Sequence, residues 1–227
     1  MRGPLVVAID GPSGVGKSSV GRRLAAELGV PYLDTGAMYR AIGLGARRRG
    51  VTLPIERPEE VAELARRADV RVVPGEGGPR TLLDGEDVSD EIREPEVSLY
   101  ASAVSAIPGV RRRLAALQRE LALSSGGVLE GRDIGTKVVP EATVKLFLDA
   151  REEVRALRRS RELASKGDPR PLEEVRAQMR ARDLADSTRE DSPLTCDETY
   201  VRVDTSDLEL EDVVRRCRAE VDARAGS

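Results

Sequence analysis

The residues with the clearest chemical meaning stand near the start of the chain, where a glycine-rich segment follows an apolar run. They fit the spacing G-x-x-x-x-G-K-[ST]. Glycines let the backbone curl so that successive N–H groups point inward and bind phosphate oxygens. The lysine of this motif reaches the terminal phosphates of a nucleotide, and its serine hydroxyl ligates Mg²⁺. The motif predicts a loop that binds a nucleoside triphosphate through Gly11, Pro12, Ser13, Gly14, Val15, Gly16, Lys17, Ser18 and Ser19.

Such a loop works between a strand and the first turn of a helix, and the sequence supplies both. Residues 5–10 are an apolar run typical of a buried strand, and residues 17–28 follow a helical pattern that Gly29 ends. The helix adds unpaired N–H groups and the positive end of its dipole. The alternative, a flexible turn with a chance lysine, is disfavoured because the motif stands where its chemistry requires it.

Two later segments place charged side chains directly after strand-like runs. Residues 34–40 (D-T-G-A-M-Y-R) put a hydroxyl and an arginine on either side of a helix start. Residues 130–136 (E-G-R-D-I-G-T) put Arg132 and Asp133 after a strand. Ligands of open α/β sheets bind beyond the carboxyl ends of the strands, so both segments are candidate binding sites.

A third group of charges is Arg182, Asp186 and Arg189, whose spacing of four and three puts them on one helical face. By itself this triplet reads more readily as a solvated ion pair within the helix, worth about tenths of a kcal/mol. The sequence alone leaves both interpretations open.

The order of elements indicates an α/β fold, a P-loop three-layer arrangement with a parallel sheet flanked by helices. The expected strands are residues 5–10, 32–34, 128–130, 144–149 and 200–204, and the expected helices are residues 17–28, 37–49 and 209–224. Residues 69–88 break the alternation, because short apolar runs around a glycine-rich turn at 75–78 predict small antiparallel strands.

We therefore expect a single domain of residues 1–227 that contains two special regions. An inserted lobe for the acceptor nucleotide covers residues 57–107 and includes the antiparallel strands. A helical lid covers residues 151–186, where two arginine-rich helices flank the breaker K-G-D-P at 166–169. A lid of this kind would move.

Composition excludes several classes of function. The net charge of -3 argues against a general nucleic-acid binder. No apolar stretch reaches the roughly 18 residues of a membrane helix, and the early first strand leaves no room for a signal peptide, so we expect a cytoplasmic protein. The absence of histidine removes Ser-His and Cys-His nucleophile pairs, and the absence of asparagine removes the guanine-reading motif N-K-x-D. Cys196 and Cys217 read as two reduced thiols, with a thiol pair as the alternative.

Taken together, these motifs resemble the bacterial cytidylate kinases, a family of P-loop nucleoside monophosphate kinases. The patterns cover nearly the whole chain: I-D-G-P-S-G-x-G-K-[SG]-[ST] at 9–19, L-D-[ST]-G-A-x-Y-R at 33–40, L-x-G-x-D-V-[ST]-x-x-I-R at 83–93, [DE]-G-R-D-[IM]-G-T at 130–136 and V-K-x-F-L-D-A at 144–150. The third lies in the expected lobe, so the resemblance is more specific than a phosphate loop alone. Thr35 stands where many members have serine, and Glu130 where some have aspartate.

The resemblance implies transfer of the γ-phosphoryl group of ATP to CMP or dCMP by a monomer, with Mg²⁺ as cofactor. It implies three groups of acceptor contacts: Thr35, Arg111, Asp133 and Arg189 for the base, Ser102, Arg182 and Asp186 for the sugar, and Arg40 and Arg132 for the phosphate. The expected catalytic set is Lys17, Arg40, Arg132, Arg158 and Arg159, with Arg155 as a further lid candidate. Ser18 and Asp10 are expected at the metal, and Arg158 with residues 204–207 at the adenine.

The same sequence features leave three other functions to consider. The chain could be a P-loop kinase for UMP, AMP or shikimate, against which the set Arg111, Asp133 and Arg189 argues. It could be a nucleotide-dependent switch, which the missing asparagine disfavours. It could be an ATP-dependent nucleic-acid-binding module, for which an aromatic content of 2% supplies few stacking platforms.

Overall fold

The computed structural model describes residues 3–75 and 78–225 of the chain. Its strands are β1 (Val6–Asp10), β2 (Tyr32–Asp34), β3 (Val70–Val73), β4 (Arg80–Leu83), β5 (Glu86–Asp87), β6 (Gly127–Glu130), β7 (Val144–Asp149) and β8 (Val201–Asp204). Its helices are α1 (Lys17–Leu28), α2 (Thr35–Arg48), α3 (Pro58–Arg67), α4 (Pro95–Ser105), α5 (Pro108–Ser125), α6 (Glu152–Ser165), α7 (Leu172–Thr188) and α8 (Leu210–Ala225). A 3₁₀ turn covers Glu91–Arg93, and a π-helical turn covers Ile134–Val138.

The larger sheet has the strand order β2-β6-β1-β7-β8. The central strand β1 is buried along its whole length and pairs in parallel with β6 and β7, and β7 pairs in parallel with β8. A strand buried on both faces reads as a continuous apolar run, which is how residues 5–10 read. The expected parallel sheet flanked by helices is confirmed.

The described residues fall into two compact units, one formed by the residues up to Tyr32 together with those from Ser125, the other by residues 33–124. In the first unit, α1 and α8 pack apolar side chains against the sheet around Leu24, Leu146 and Cys217. Gly29 ends α1 in the left-handed conformation (φ 67°), as the sequence predicts. Cys196 and Cys217 are both free thiols, which confirms the first of the two readings of the cysteines.

The second unit contains α2 to α5 and an antiparallel sheet in the order β3-β4-β5. Its core surrounds Met38, Ile42 and Leu114, which are fully buried. Helices α2 and α4 approach so closely that a Cβ added to Gly43 would lie 2.9 Å from the backbone nitrogen of Ala101. The expected antiparallel strands are confirmed, while residues 76 and 77 of the turn at 75–78 lie outside the described residues.

Several boundaries differ from expectation. Helix α2 begins at Thr35, two residues early, because the Asp34 side chain accepts a hydrogen bond from the backbone N–H of Ala37 at 3.0 Å and caps the helix there. No motif predicted α3, α4 or α5. The expected lobe of residues 57–107 falls inside the second unit, and its narrower boundaries stay a prediction.

Helices α6 and α7 occupy the segment expected to form the lid. They share a small core of Ala156, Leu163, Val175 and Met179. Within residues 3–75 and 78–225, no helix is long and apolar enough to cross a membrane.

Candidate functional site

The phosphate-binding loop lies between β1 and α1. A Cβ added to Gly11, whose φ is +147°, would lie 2.1 Å from the carbonyl oxygen of Leu148 on β7. Gly16 precedes α1 in the left-handed conformation (φ 93°), which a residue without a Cβ adopts at no steric cost. The loop thus runs against the sheet and turns sharply into the first turn of α1, where the backbone N–H groups have no partner within the helix.

Lys17 is the first residue of α1, and its side chain is 8% exposed. Its Nζ donates to the carbonyl oxygens of Gly11 at 2.8 Å and Pro12 at 2.7 Å. Burial lowers the pKa of Lys17 well below its usual value, and the positive charges of Arg132 and Arg182 lower it further. A cation in such surroundings gains electrostatic energy when an anion such as a phosphate comes into contact with it.

Asp10 ends β1 and is fully buried. Its Oδ1 accepts from the backbone N–H of Ile134 at 3.0 Å, and its Oδ2 accepts from that of Gly135 at 2.9 Å and from the Tyr200 hydroxyl at 2.7 Å. Burial raises the pKa of Asp10, and these hydrogen bonds oppose that rise. Asp10 therefore fixes the π-helical turn that follows β6, and its role at a metal stays a prediction.

The charged residues after β6 form a connected cluster with the end of α7. Arg132 Nε donates to Asp186 Oδ2 at 2.9 Å, and Arg189 Nη1 donates to Asp186 Oδ1 at 3.3 Å. Arg189 Nη2 lies 3.6 Å from Asp133 Oδ1. The cluster thus joins two arginines and two carboxylates from distant parts of the sequence, and it ties the residues that the resemblance assigns to base, sugar and phosphate.

The burial of these side chains distinguishes a binding cluster from the alternative reading of Arg182, Asp186 and Arg189 as a solvated ion pair. The Asp186 side chain is 10% exposed and that of Arg189 is 9% exposed. Burial raises the pKa of Asp186, but the positive charges of Arg132, Arg182 and Arg189 outweigh it and leave that pKa below its usual value. The reading of the triplet as a solvated pair confined to one helix is wrong, because Asp186 is buried and bonded to a residue 54 positions away.

The three lid arginines have different partners. Arg155 Nη1 donates to the carbonyl oxygen of Ser13 in the phosphate loop at 3.1 Å. Arg158 donates to Thr205, from Nη1 to Oγ1 at 2.9 Å and from Nη2 to the carbonyl oxygen at 2.6 Å. Arg159 pairs with a glutamate of its own helix at 2.8 Å. Arg155 thus hydrogen-bonds to the loop, whereas the roles of Arg158 and Arg159 in the expected catalytic set stay predictions.

Asp183 is a functional candidate that no motif singled out. Its Oδ1 accepts from the backbone N–H of Ser13 at 3.0 Å, and its Oδ2 pairs with Arg155. The spacing in the sequence could have identified it. Asp183 precedes Asp186 by three residues, so both carboxylates project from one face of α7.

In the second unit, the start of α2 holds Thr35 and Arg40. Thr35 is the first residue of the helix and is 3% exposed. Asp34 caps the helix with Oδ1, and its Oδ2 accepts from Arg40 Nη2 at 2.6 Å. One carboxylate therefore both caps the start of the helix and orients the guanidinium of Arg40 six residues further along the chain.

Ser102 and Arg111 lie elsewhere in the second unit, on α4 and in the first turn of α5. Arg111 is 3% exposed, and its Nη1 donates to the carbonyl oxygen of Ser105 at 3.2 Å. Its guanidinium carbon lies 5.6 Å from the centre of the Tyr39 ring, within the range of a cation–π contact. A buried cation held at two points has a fixed direction, as a group that reads a base must.

The expected site residues thus divide between the units. The first unit holds the phosphate loop with Asp10, Arg132, Asp133, Arg158, Arg159, Arg182, Asp186 and Arg189. The second holds Thr35, Arg40, Ser102 and Arg111.

The donor groups near the loop decide whether Mg²⁺ fits. Over the described part of the chain, no group of three or more histidine, cysteine, aspartate or glutamate side chains could hold a metal ion. Mg²⁺ needs no such cage, because it keeps several waters and is bound through one or two protein oxygens together with substrate phosphates. The half-buried Ser18 hydroxyl, one residue into α1, suits a metal that arrives with a nucleotide.

Comparison with known proteins agrees with the motifs. The family model for cytidylate kinase matches residues 7–223. A cytidylate kinase from Caldanaerobacter subterraneus is 49% identical over 92% of this chain and 91% of its own length. One from Rhodococcus opacus is 47% identical over 98% of this chain and 96% of its own length.

Among solved structures, an uncharacterized protein from Eubacterium ventriosum matches with a TM-score of 0.52, covering 97% of this chain and 99% of that protein at 12% identity. At this identity the likeness concerns the fold alone. The match to the family model and the similarity to these relatives each cover nearly the whole chain. They show that the chain belongs to the cytidylate kinase family.

Proposed function

We propose that this chain transfers the γ-phosphoryl group of ATP to CMP or dCMP and releases ADP with CDP or dCDP. The observation that carries the proposal is the phosphate-binding loop, built between β1 and α1, in a chain that the cytidylate kinase family model matches over residues 7–223. A kinase of UMP, AMP or shikimate, a switch and a nucleic-acid-binding module are not favoured, because relatives at 46–49% identity are cytidylate kinases.

For the base, we assign Thr35, Arg111, Asp133 and Arg189, the residues that the family resemblance implies. Cytosine offers an N4 amino donor beside the N3 and O2 acceptors, so an aspartate accepts from N4 and arginines donate to N3 or O2. Uracil carries an oxygen at position 4, which would oppose the Asp133 carboxylate lone pair to lone pair. A polar site of this kind rejects the wrong base by several kcal/mol, of the order found for hydrogen-bonding specificity sites.

For the acceptor phosphate, we assign Arg40 and Arg132, and for the sugar Ser102, Arg182 and Asp186. Both phosphate arginines already donate to a carboxylate, Arg40 to Asp34 and Arg132 to Asp186. A guanidinium held by one partner presents its other N–H groups in a fixed direction, which suits bidentate contact with phosphate. The same ion pairs thus orient the groups that hold the acceptor in line.

For the donor, we assign the loop from Gly11 to Ser19, with Lys17 on the terminal phosphates. Ser18 would hold Mg²⁺, which supplies positive charge to the transferring group when it is bound. Lid arginines add further positive charge, and Arg158 with Thr205 forms one wall for the adenine. Phosphoryl transfer needs positioning and charge neutralisation more than a base, so a chain without histidine can perform it.

Closure of the lid of residues 151–186 would exclude water, which otherwise accepts the phosphoryl group in place of CMP. The family resemblance implies a monomer, and movement of the lid and a cytoplasmic location stay predictions.

The test is ADP release from ATP and Mg²⁺ with CMP, dCMP, UMP, AMP, shikimate or no acceptor in parallel. We expect CMP and dCMP to stimulate release at least about a hundredfold more than UMP, as a discrimination of several kcal/mol requires. Equal rates with UMP would leave a kinase but remove the role of Asp133. Release that is independent of every acceptor would contradict the proposed function.

A further inference from the structure

Asp183 lies where its carboxylate meets the phosphate-binding loop. Its Oδ1 accepts the backbone N–H of Ser13 at 3.0 Å, and its Oδ2 pairs with Arg155. The side chains of Asp183 and Arg155 are 19% and 12% exposed, so the pair is largely withdrawn from solvent. No sequence motif or family pattern named above includes Asp183.

The backbone N–H that donates to Asp183 belongs to Ser13, a residue of the phosphate-binding loop. Inward-pointing N–H groups of a glycine-rich loop bind phosphate oxygens, and a carboxylate oxygen is an anionic acceptor of the same kind. One N–H cannot make a full hydrogen bond to Asp183 and to a phosphate oxygen at the same time. The carboxylate of α7 therefore competes with any phosphate oxygen for the Ser13 N–H.

Arg155 is held in the same arrangement. Its Nη1 donates to the carbonyl oxygen of Ser13 at 3.1 Å and pairs with Asp183, and its Nε donates to the carbonyl oxygen of Ala150 at 3.1 Å. An arginine beside the phosphate loop is suited to a phosphate, yet here its charge is balanced by Asp183. Departure of the Asp183 carboxylate would thus free the Ser13 N–H and leave the charge of Arg155 without its carboxylate partner.

Packing holds the two lid helices directly on the loop. A Cβ added to Gly14 would lie 2.8 Å from Met179 Cε of α7 and 3.0 Å from the carbonyl oxygen of Arg155 on α6. Met179 belongs to the small core that joins these helices. The position of Asp183 is therefore set by the packing of α6 and α7 as well as by its own hydrogen bond.

We propose that Asp183 gates the triphosphate site: its carboxylate occupies the Ser13 N–H and Arg155 until the phosphates of ATP displace it and take both partners. The proposal rests on the proposed function, because it takes the loop to be the ATP site. Asp183 is a positioning residue in this account, since it acts on donor affinity through Ser13 and Arg155. It differs from Asp186, which serves the acceptor.

The test compares wild type with Asp183→Asn and Asp183→Ala. Titration calorimetry would give the dissociation constants of ATP, of inorganic tripolyphosphate and of adenosine. We expect ATP and tripolyphosphate to bind about fivefold more tightly to both variants, the scale of one partly buried ion pair that no longer has to be broken. Adenosine, which has no phosphate, should bind all three proteins equally, and the KM for CMP should not change.

The matched control is Asp168→Asn, which removes a carboxylate of the same lid segment that pairs with Arg170 and does not contact the loop. This control should bind ATP as wild type does. A purely structural role of Asp183 predicts the opposite sign, because a loosened lid binds ATP more weakly, and weaker or unchanged binding in both variants overturns the gate.

The two proposals fail in different ways. Wild type that binds ATP and releases ADP in response to CMP, beside variants that bind ATP no more tightly, would overturn the gate alone. Wild type that binds neither ATP nor tripolyphosphate would overturn the proposed function, and the gate with it.

Discussion

At the scale of single residues, burial of the Lys17 charge lowers the free energy of unfolding of the protein. Its ammonium is buried near Arg132 and Arg182, and its pKa is lowered. The folded protein binds this proton less tightly than the unfolded chain does. The free-energy penalty of the buried charge is therefore at its full size below the pKa that Lys17 has in the folded state. That penalty disappears as the pH rises towards the unfolded value near 10.5.

We therefore predict that Lys17→Met abolishes phosphoryl transfer and yet unfolds at higher urea concentration than wild type at pH 7. The gain comes from removing a buried charge, and its sign follows from the lowered pKa of Lys17. The gain should shrink between pH 7 and pH 10.5. Lys166→Met, which removes an exposed lysine, is the control; a variant less stable than wild type at every pH would refute the prediction.

The proposed function assigns the reading of the cytosine N4 amino group to Asp133. We predict that Asp133→Ala reduces the ratio of kcat/KM for CMP to that for UMP by about ten- to a hundredfold, the range for one good base-edge contact. ATP binding should stay unchanged. Asp212→Ala, which removes an exposed carboxylate of α8, should keep the wild-type ratio. Retention of that ratio by Asp133→Ala would mean that another residue reads cytosine N4.

At the scale of elements, a buried hydrogen-bond network joins the end of β1, the π-helical turn and the start of β8. Asp10 accepts from two backbone N–H groups and from Tyr200. Burial raises the pKa of Tyr200, and the charge of Asp10 raises it further, so the hydroxyl stays protonated and donates. This network fixes the start of the turn that directly follows Asp133.

We predict that Tyr200→Phe lowers the free energy of unfolding by about 1.5–3 kcal/mol, as for other hydrogen bonds to charged groups. Loss of the hydroxyl raises the pKa of Asp10 further, so the folded protein holds a proton that the unfolded chain releases above the ordinary pKa of 3.8. The destabilisation should therefore be larger at pH 7 than at pH 4, as measured by urea unfolding.

Tyr100→Phe is the matched control, because the Tyr100 hydroxyl donates to the neutral carbonyl oxygen of Val51 at 2.7 Å. Its loss should cost about 1 kcal/mol and show no dependence on pH over this range. Equal behaviour of the two variants would mean that the charge of Asp10 does not contribute.

The elements that could be predicted from the sequence are those with a local cause. Strand β1 is a continuous apolar run and α1 ends at Gly29, so both were found within a residue. Helix α4 has no such signal, because its apolar residues do not form one clean stripe: Val97 and Val104 are fully buried, while Leu99 is 58% exposed. Its burial depends on α2, a tertiary partner that no local pattern reveals.

The same limit applies to the site. Residues within motifs, such as Lys17 and Arg132, were named because spacing along the chain fixes them. The contact between Asp183 and Ser13 joins residues 170 positions apart, and it depends on how α7 packs on the loop. The choice of Arg155 as the lid arginine on the loop depends on that same packing.

At the scale of the whole molecule, the chain has cores of unequal strength. One core lies in the second unit and another beneath the main sheet, and each contains many fully buried aliphatic side chains. The core of the lid has four buried residues. The lid also depends on partly exposed ion pairs, among them those of Glu152 with Arg176 and Arg180, and such pairs weaken as salt screens them.

We predict that amide hydrogens in α6 and α7 exchange at least about tenfold faster than those in β1 and β7, because a small core opens with less free energy. Raising the salt concentration should speed exchange in α6 and α7 while β1 is unaffected, since apolar burial dominates there. ATP should slow exchange in the lid when its phosphates engage Arg155. Equal protection of lid and sheet at all salt concentrations would mean that residues 151–186 unfold only with the rest of their unit and do not act as a lid.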